Sequence, residues 1–387
     1  MNPTVSSTEN ALAVGAAGPG AAGPGAARPG SARPGVPGPS AAASEPRRQA
    51  SAWVHLPGAL SFRNIGAVYV LLAIAVVFTV WAPSTFPTWT TARQILDENA
   101  ATGLMALSVV IPLCTRTFDL SVGFIASLSA VTASYLIAHG VPVAAAVAIA
   151  MGGALLVGMI NAVVVVVMGV DSFIATLATG SLIQAFITMM TNDIAITSPR
   201  LTGPFAKIGQ GSIGRITLPV VYTLVVALVI WFVLEHTATG RRLYATGFNP
   251  ESARLAGVRT ARLRFASLIV SALLAGAAGV VLASTLGSGD PQAGVPYLLS
   301  AYAAAFLGAS QLRPGRFNAW GTLIAVLLLG TGVVGLGLVS APNWAPAMFT
   351  GVVLIAALGI TGAKRRALRR GLRFGRRTAA TGPSSRT

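Results

Sequence analysis

The sequence predicts an all-α integral membrane protein of about ten transmembrane helices, with a short polar helix beneath the membrane between the sixth and seventh. Three observations predict this. Hydrophobic residues make up 54% of the 387 positions and charged residues only 10%, too few charges to solvate a soluble chain of this size. From Ile65 onward the chain divides into about ten mostly apolar runs, each near the ~20 residues that cross a bilayer. The basic residues collect in alternate connections between those runs.

Residues 1–50 precede the first run and are rich in Ala, Gly and Pro, as in "VGAAGPGAAGPGAARPGS". They hold almost no large apolar side chain and no apolar signal segment, so they are expected to form a disordered tail. The membrane domain then occupies 62–362. Its first run, 65–82, is continuously apolar. The second, 98–114, is short, and the third, 119–138, opens on an acid. The fourth and fifth, 141–168 and 172–191, are separated only by a glycine-containing turn ending at Asp171. The sixth, 218–235, follows the longest connection, 192–217, which contains Pro199 and Pro204. The seventh, 263–284, is rich in Ala and Gly, as is the shorter eighth, 297–311. The ninth and tenth, 319–338 and 343–362, complete the set, and a basic tail, 363–387, closes the chain.

Ten runs with a cytoplasmic N-terminus also put the C-terminus in the cytoplasm. All of the 27 Lys and Arg except Arg93, Arg200, Lys207 and Arg215 then fall on the cytoplasmic side. Shifting one run across a connection would scramble this sorting. Localisation is therefore expected in the cell membrane, multi-pass. The tail segment "KRRALRRGLRFGRR" (364–377) suits contact with anionic lipid, and it also serves as the positive cap of a last span.

Several function classes are excluded. A net charge of +17 does not indicate nucleic acid here, because the basic residues lie between apolar runs and not on a soluble domain. The single cysteine, Cys114, rules out a disulfide framework or a cysteine zinc cluster. His55, His139 and His236 are scattered, and no G-x-x-x-x-G-K-[ST] loop is present. No catalytic, metal or cofactor-binding residues are expected, and any ATP-driven work requires a separate subunit.

The polar stretch "ATGFNPESARLAGVRTARLR" (245–264) lies between the sixth and seventh runs. Asn249 can cap a helix, Pro250 suits its first turn, Glu251 favours its positive end, and Gly257 stops it. The arginines around it also serve orientation alone. An acid, two small residues (Ser252 and Ala253), Arg254, Leu255 and a glycine six positions after the acid make a slim rigid knob. This spacing resembles the coupling loop of bacterial ABC importer permeases. Four stretches in order, this loop among them, strengthen the likeness to the ribose/xylose-type sugar permeases: "FDLSVGFIASLSA" (118–130), with Asp119, Leu120, Ser121 and Gly123; "DSFIATLATGSL" (171–182); "YATGFNPESARLAGV" (244–258); and "AYAAAFLGASQLRPGRFNAWGTLIAVLLLG" (301–330). The chain departs from the family pattern at Arg116, Thr117 and Phe118, and again at Arg313, Pro314 and Phe317, where small residues are usual.

The resemblance implies the permease subunit of an ATP-binding cassette importer for a monosaccharide or similar neutral solute. A cytoplasmic ATPase would dock on the coupling helix, and a solute-binding protein on the external connections. A second permease subunit, identical or paralogous, would complete the pathway. Nucleosides or branched-chain amino acids are alternative cargoes within the superfamily. An ion-coupled carrier acting alone would need ionisable residues inside spans, which are almost lacking.

The remaining polar residues have competing readings. Asp119 either pairs with Arg116 or caps the third span, unless it serves function directly, and capping is also expected of Asp171. Asn161, Thr176, Thr179 and Gln184 are candidates for a solute pathway, with helix cross-linking as the alternative. Thr132, Ser134 and Asn192 share that ambiguity. The pairs Ala154/Gly158, Ala272/Gly276 and Ala275/Gly279 are expected to let helices pack closely.

Overall fold

A computed structural model describes residues 62–313 and 315–355. The two tails and Pro314 lie outside the described residues. Among those described, helices dominate: α1 (Phe62–Trp81), α2 (Trp89–Cys114), α3 (Val122–Ala138), α4 (Val143–Ala162), α5 (Ser172–Thr191), α6 (Ala206–Gln210), α7 (Leu218–His236), α8 (Ala238–Phe248), α9 (Pro250–Leu255), α10 (Thr260–Leu286), α11 (Val295–Gly308) and α12 (Ala319–Leu338). A further apolar helix, α13, covers Ala345–Ile355. Six helices are long and apolar enough to cross a membrane, namely α2, α4 with its extension, α5, α7, α10 and α12. The other four apolar segments, in α1, α3, α11 and α13, are shorter. Each of the ten apolar runs contains helix among the described residues, although the end of the tenth, 356–362, lies outside them and α3 starts at Val122 and not at Asp119.

Two boundaries differ for a local reason. α2 begins nine residues before its apolar run, because Thr88 caps it by accepting from the Thr91 N–H, 3.2 Å, and polar pairs extend it. Arg93 Nε donates to Asp97, 3.3 Å, and Gln94 Nε2 donates to Glu98, 2.7 Å, one helical turn apart. Hydropathy alone misses such turns. α8 is the second difference, an amphipathic helix capped by Thr237, whose Oγ1 accepts from the Gly240 N–H at 3.3 Å.

α10 is the central helix, packed on α2, α3 and α4. Its crossing with α4 is built from the expected small residues. A methyl group at Gly158 would lie 2.7 Å from Ala272 Cβ, and one at Gly276 would lie 2.6 Å from Ala154 Cβ. Each glycine receives the other helix's alanine, so the backbones approach without voids. Gly279 abuts the Ala126 carbonyl of α3 even more closely. Gly276→Ala should therefore cost about 1–3 kcal/mol through overpacking. Gly279→Ala should cost more, because a backbone oxygen cannot rotate aside. Thermal unfolding in detergent checks both, with Gly152→Ala as the control, since open space surrounds that position.

The connection 192–217 folds over one end of the bundle. β1 (Ile196–Thr197) pairs antiparallel with β4 (Ser288–Gly289), and β2 (Ser212–Ile213) with β3 (Ile216–Thr217). Its own Leu201 and Phe205 are fully buried against α3 and α10. The Ser284 hydroxyl clamps it to the end of α10, donating to Phe205 O at 2.6 Å while accepting from the Gly209 N–H at 2.6 Å. α8 and α9 occupy the opposite end, beside the end of α2.

Candidate functional site

α9 forms with the expected signals. The Asn249 side chain accepts from the Ser252 N–H at 3.1 Å, Pro250 sits in the first turn, and Gly257 adopts φ +80°. Ala253 is its one buried residue; Glu251, Ser252, Arg254 and Leu255 point outward. Glu251 and Arg254 pair across one turn at 2.7 Å, both largely exposed, so the pair orders side chains more than it stabilises. Leu255, 80% exposed, leaves an apolar tip beside these charges. A capped peg held by one methyl group and offering charge plus an apolar tip is suited to contact with another protein.

α8 anchors this peg. Gly247 lies against the Cys114 carbonyl at the end of α2, closer than any side chain would permit. The Tyr244 hydroxyl donates to Phe317 O at 2.7 Å. Burial first, then the nearby Cys114 and Glu235, push the Tyr244 hydroxyl above its ordinary range, so it remains a donor. One of the family departures, Arg313, finds its partner here. Arg313 forms an ion pair with Glu235, a buried acid at the end of α7. The Arg316 guanidinium covers the Tyr244 ring at 5.2 Å and the Phe248 ring at 5.7 Å. The bulky residues thus stitch the α11–α12 turn to the α7–α8 corner.

The 115–121 segment corrects the expected pairing of Asp119 with Arg116. Thr115, Thr117, Asp119 and Ser121 are all buried, and only Arg116 of the segment is fully exposed. Asp119 does not pair with Arg116. Its Oδ1 accepts from the Ser121 N–H at 3.2 Å and the Ser121 hydroxyl at 2.5 Å, which closes a tight turn before α3, and it makes no capping bond to the helix itself. Non-helical backbone buried in a bundle must satisfy every donor. Side chains supply the acceptors: Ser172 Oγ for the Phe118 N–H at 3.0 Å, Tyr302 Oη for Asp119 at 3.0 Å, and Thr176 Oγ1 for Leu120 at 2.9 Å. Asn161 Nδ2 donates to Ser121 Oγ at 2.8 Å, completing the knot. Gly123 packs where a methyl group would lie 3.1 Å from the Gly294 carbonyl.

Two of the four pathway candidates are therefore gathered beside Asp119, Thr176 bracing the Leu120 N–H and Asn161 holding the Ser121 hydroxyl. Thr179 bonds only to its own helix, donating to Ala175 O at 3.0 Å. Gln184 lies two turns further along α5, its amide buried without a partner among the described residues. Asp171 caps α5 as expected, accepting from the Phe173 N–H at 2.9 Å. Tyr302 and Ser172 were not singled out by sequence, because a hydroxyl within an apolar run carries no sign of which distant backbone it meets.

Residues 93–358 match the family described as "Branched-chain amino acid transport system / permease component". The chain belongs to this family. The permease is 32% identical over 305 residues to the ribose import permease protein RbsC of Bacillus subtilis (strain 168), covering 79% of this chain and 94% of that protein. It is 30% identical to the D-allose transport system permease protein AlsC of Escherichia coli (strain K12), covering 78% and 92%. The L-arabinose ABC transporter permease protein AraH of Azospirillum brasilense is 30% identical over 326 residues, covering 83% and 92%. The matched region takes in the buried 115–121 knot, α8 and α9, and the stitched α11–α12 turn.

Proposed function

We propose that this permease is the transmembrane subunit of an ATP-binding cassette importer that brings a monosaccharide into the cell. Its sugar-permease relatives, similar along nearly their whole length, support that cargo over the amino acids in the family description. The observation that carries the mechanism is α9, a capped peg with a single buried side chain, anchored through α8 to α2 and the α11–α12 turn. In this reading the ten apolar helices are ten spans, both termini are cytoplasmic, and α8–α9 face the cytoplasm. A separate ATPase docks on residues 249–257, and a second permease subunit completes a two-fold assembly. A solute-binding protein docks on the opposite end, over 192–217. Force applied to α9 passes through Tyr244 and Arg316 into α11, whose Tyr302 holds the 115–121 segment. Asn161 and Thr176 act by bracing that segment, while Thr179 and Gln184 on α5 are candidates for the pathway wall. The basic tail meets anionic lipid.

Orientation has a direct test. Ser252→Cys is expected to react with an impermeant thiol reagent in inside-out vesicles and to stay unlabelled in intact cells. Cys114 is buried and adds little background. Labelling of intact cells would remove the docking role. Uptake of labelled D-ribose, D-allose, L-arabinose and L-leucine by the assembled transporter tests the cargo.

A further inference from the structure

A cavity of about 450 Å³ opens among α2, α10, α11, α12 and α13, and none of the sequence-derived pathway residues lines it. It lies at the end that carries the 192–217 connection. Thr217 Oγ1 donates to Asp97 at 2.6 Å, and Gln210 Nε2 donates to Thr285 O at 3.1 Å, binding that connection to the cavity's rim. Its volume falls within the ~300–1,000 Å³ of small-molecule sites.

The lining has a definite chemistry. Glu98, Asn99, Thr102, Tyr297, Ser300 and Thr350 supply polar groups, and Val281, Leu329 and Val333 supply apolar wall. Asp97 is already engaged by Arg93 and Thr217. Glu98 has only one oxygen engaged, by Gln94, and it stands exposed at the cavity. The Thr102 and Ser300 hydroxyls bond to no group among the described residues. Gly330 fixes the wall, because the Asn99 amide occupies the space a methyl group would need. Among the described residues no Lys or Arg lines the cavity, so a ligand carboxylate would meet Glu98 without neutralisation. A neutral polyhydroxylated ring fits instead: a carboxylate and hydroxyls for its O–H edge, a phenol ring and aliphatic wall for its C–H face.

We propose that this cavity is a solute subsite inside the single permease chain, where a neutral monosaccharide entering from the binding-protein side is held by Glu98, Thr102 and Ser300 against Tyr297. The proposal rests on the importer reading and names where within one subunit the sugar is held. An amino acid would pair its ammonium with Glu98 but leave its carboxylate without a cation, so the subsite favours a neutral sugar.

The test uses the purified permease–ATPase complex without its binding protein, so that receptor affinity does not mask the subsite. Ser300→Cys should react with a small maleimide. D-ribose, D-allose or L-arabinose at high millimolar concentration, whichever the intact transporter takes up, should slow that reaction at least about three-fold by occupancy, and L-leucine should not. Thr102→Cys repeats the measurement should Ser300→Cys fail to assemble. Ser300→Trp, with co-purification of the ATPase confirming assembly, should lower the maximal uptake rate more than about ten-fold by filling the cavity. A transported sugar that gives no protection at either cysteine overturns the subsite and leaves the importer reading standing. An unreactive cysteine at both positions overturns it as well, since the cavity would then be closed. Uptake of leucine and of no sugar overturns both readings together.

Discussion

Ala253→Pro is expected to abolish solute uptake while the permease still inserts at near-normal abundance. Ala253 is the pin of α9: its N–H donates to Asn249 O at 3.0 Å, its carbonyl accepts from the Val258 N–H at 3.0 Å, and its methyl group is 6% exposed. Proline removes the donor and clashes with the preceding turn, at a cost of ~3 kcal/mol or more. A six-residue helix has no further turns over which to spread that loss. The spans do not depend on it, so the lesion stays local. Glu251→Arg addresses the same surface without unfolding it. The exposed pair with Arg254 contributes at most about 1 kcal/mol, yet reversal presents like charges to whatever docks there. Uptake should fall more than about ten-fold, with co-purified ATPase falling in parallel. Normal uptake by either variant, at matched abundance in the membrane, would remove α9 from the mechanism.

The second large effect is expected at Asp119, where charge and hydrogen bonding can be separated. The side chain is fully buried, and none of the ion pairs among the described residues includes it. Its contribution is the acceptor Oδ1, which holds the Ser121 N–H and hydroxyl, and through Ser121 the amide of Asn161. Asp119→Ala strands that chain of buried polar groups at ~1–3 kcal/mol for each group left unpaired. It should lower both the yield of folded permease and uptake. Asp119→Asn keeps an oxygen at Oδ1, and it should recover most of the yield and thermal stability. If the asparagine variant is as damaged as the alanine variant, the carboxylate's charge matters and the bracing account fails.

These two sites differ in how readily they can be read from the chain. α9 is legible because its start and stop signals, Asn249, Pro250 and Gly257, lie within nine residues of one another and act on adjacent backbone. The helices were legible because burial in lipid demands long apolar runs whatever their neighbours do. That the Ala154/Gly158 and Ala272/Gly276 faces pack closely was also readable, though not that they meet each other, since glycine and alanine four residues apart commonly serve close packing. Asp119 was legible only as an acid that pairs, caps or serves function. Its environment is set by Ser172, Thr176 and Tyr302, which lie 53, 57 and 183 positions along the chain from it. The family departure at Arg313 was visible as a departure, but its partner Glu235 was not, nor was the seat of the neighbouring Arg316 on Tyr244 and Phe248.

By itself, then, the sequence determined that the chain lives in a bilayer, where its helices begin and end to within a turn or so in most cases, and that a capped polar peg interrupts them. Those properties follow from hydrophobic length and local capping, which act between neighbours in the chain. Only the tertiary structure decided that 115–121 is buried, that α11–α12 is stitched to α8, and that a polar cavity lies beside the 192–217 connection. Each of these depends on side chains from distant helices meeting in space, and helix packing, which no local pattern encodes, chooses which ones meet.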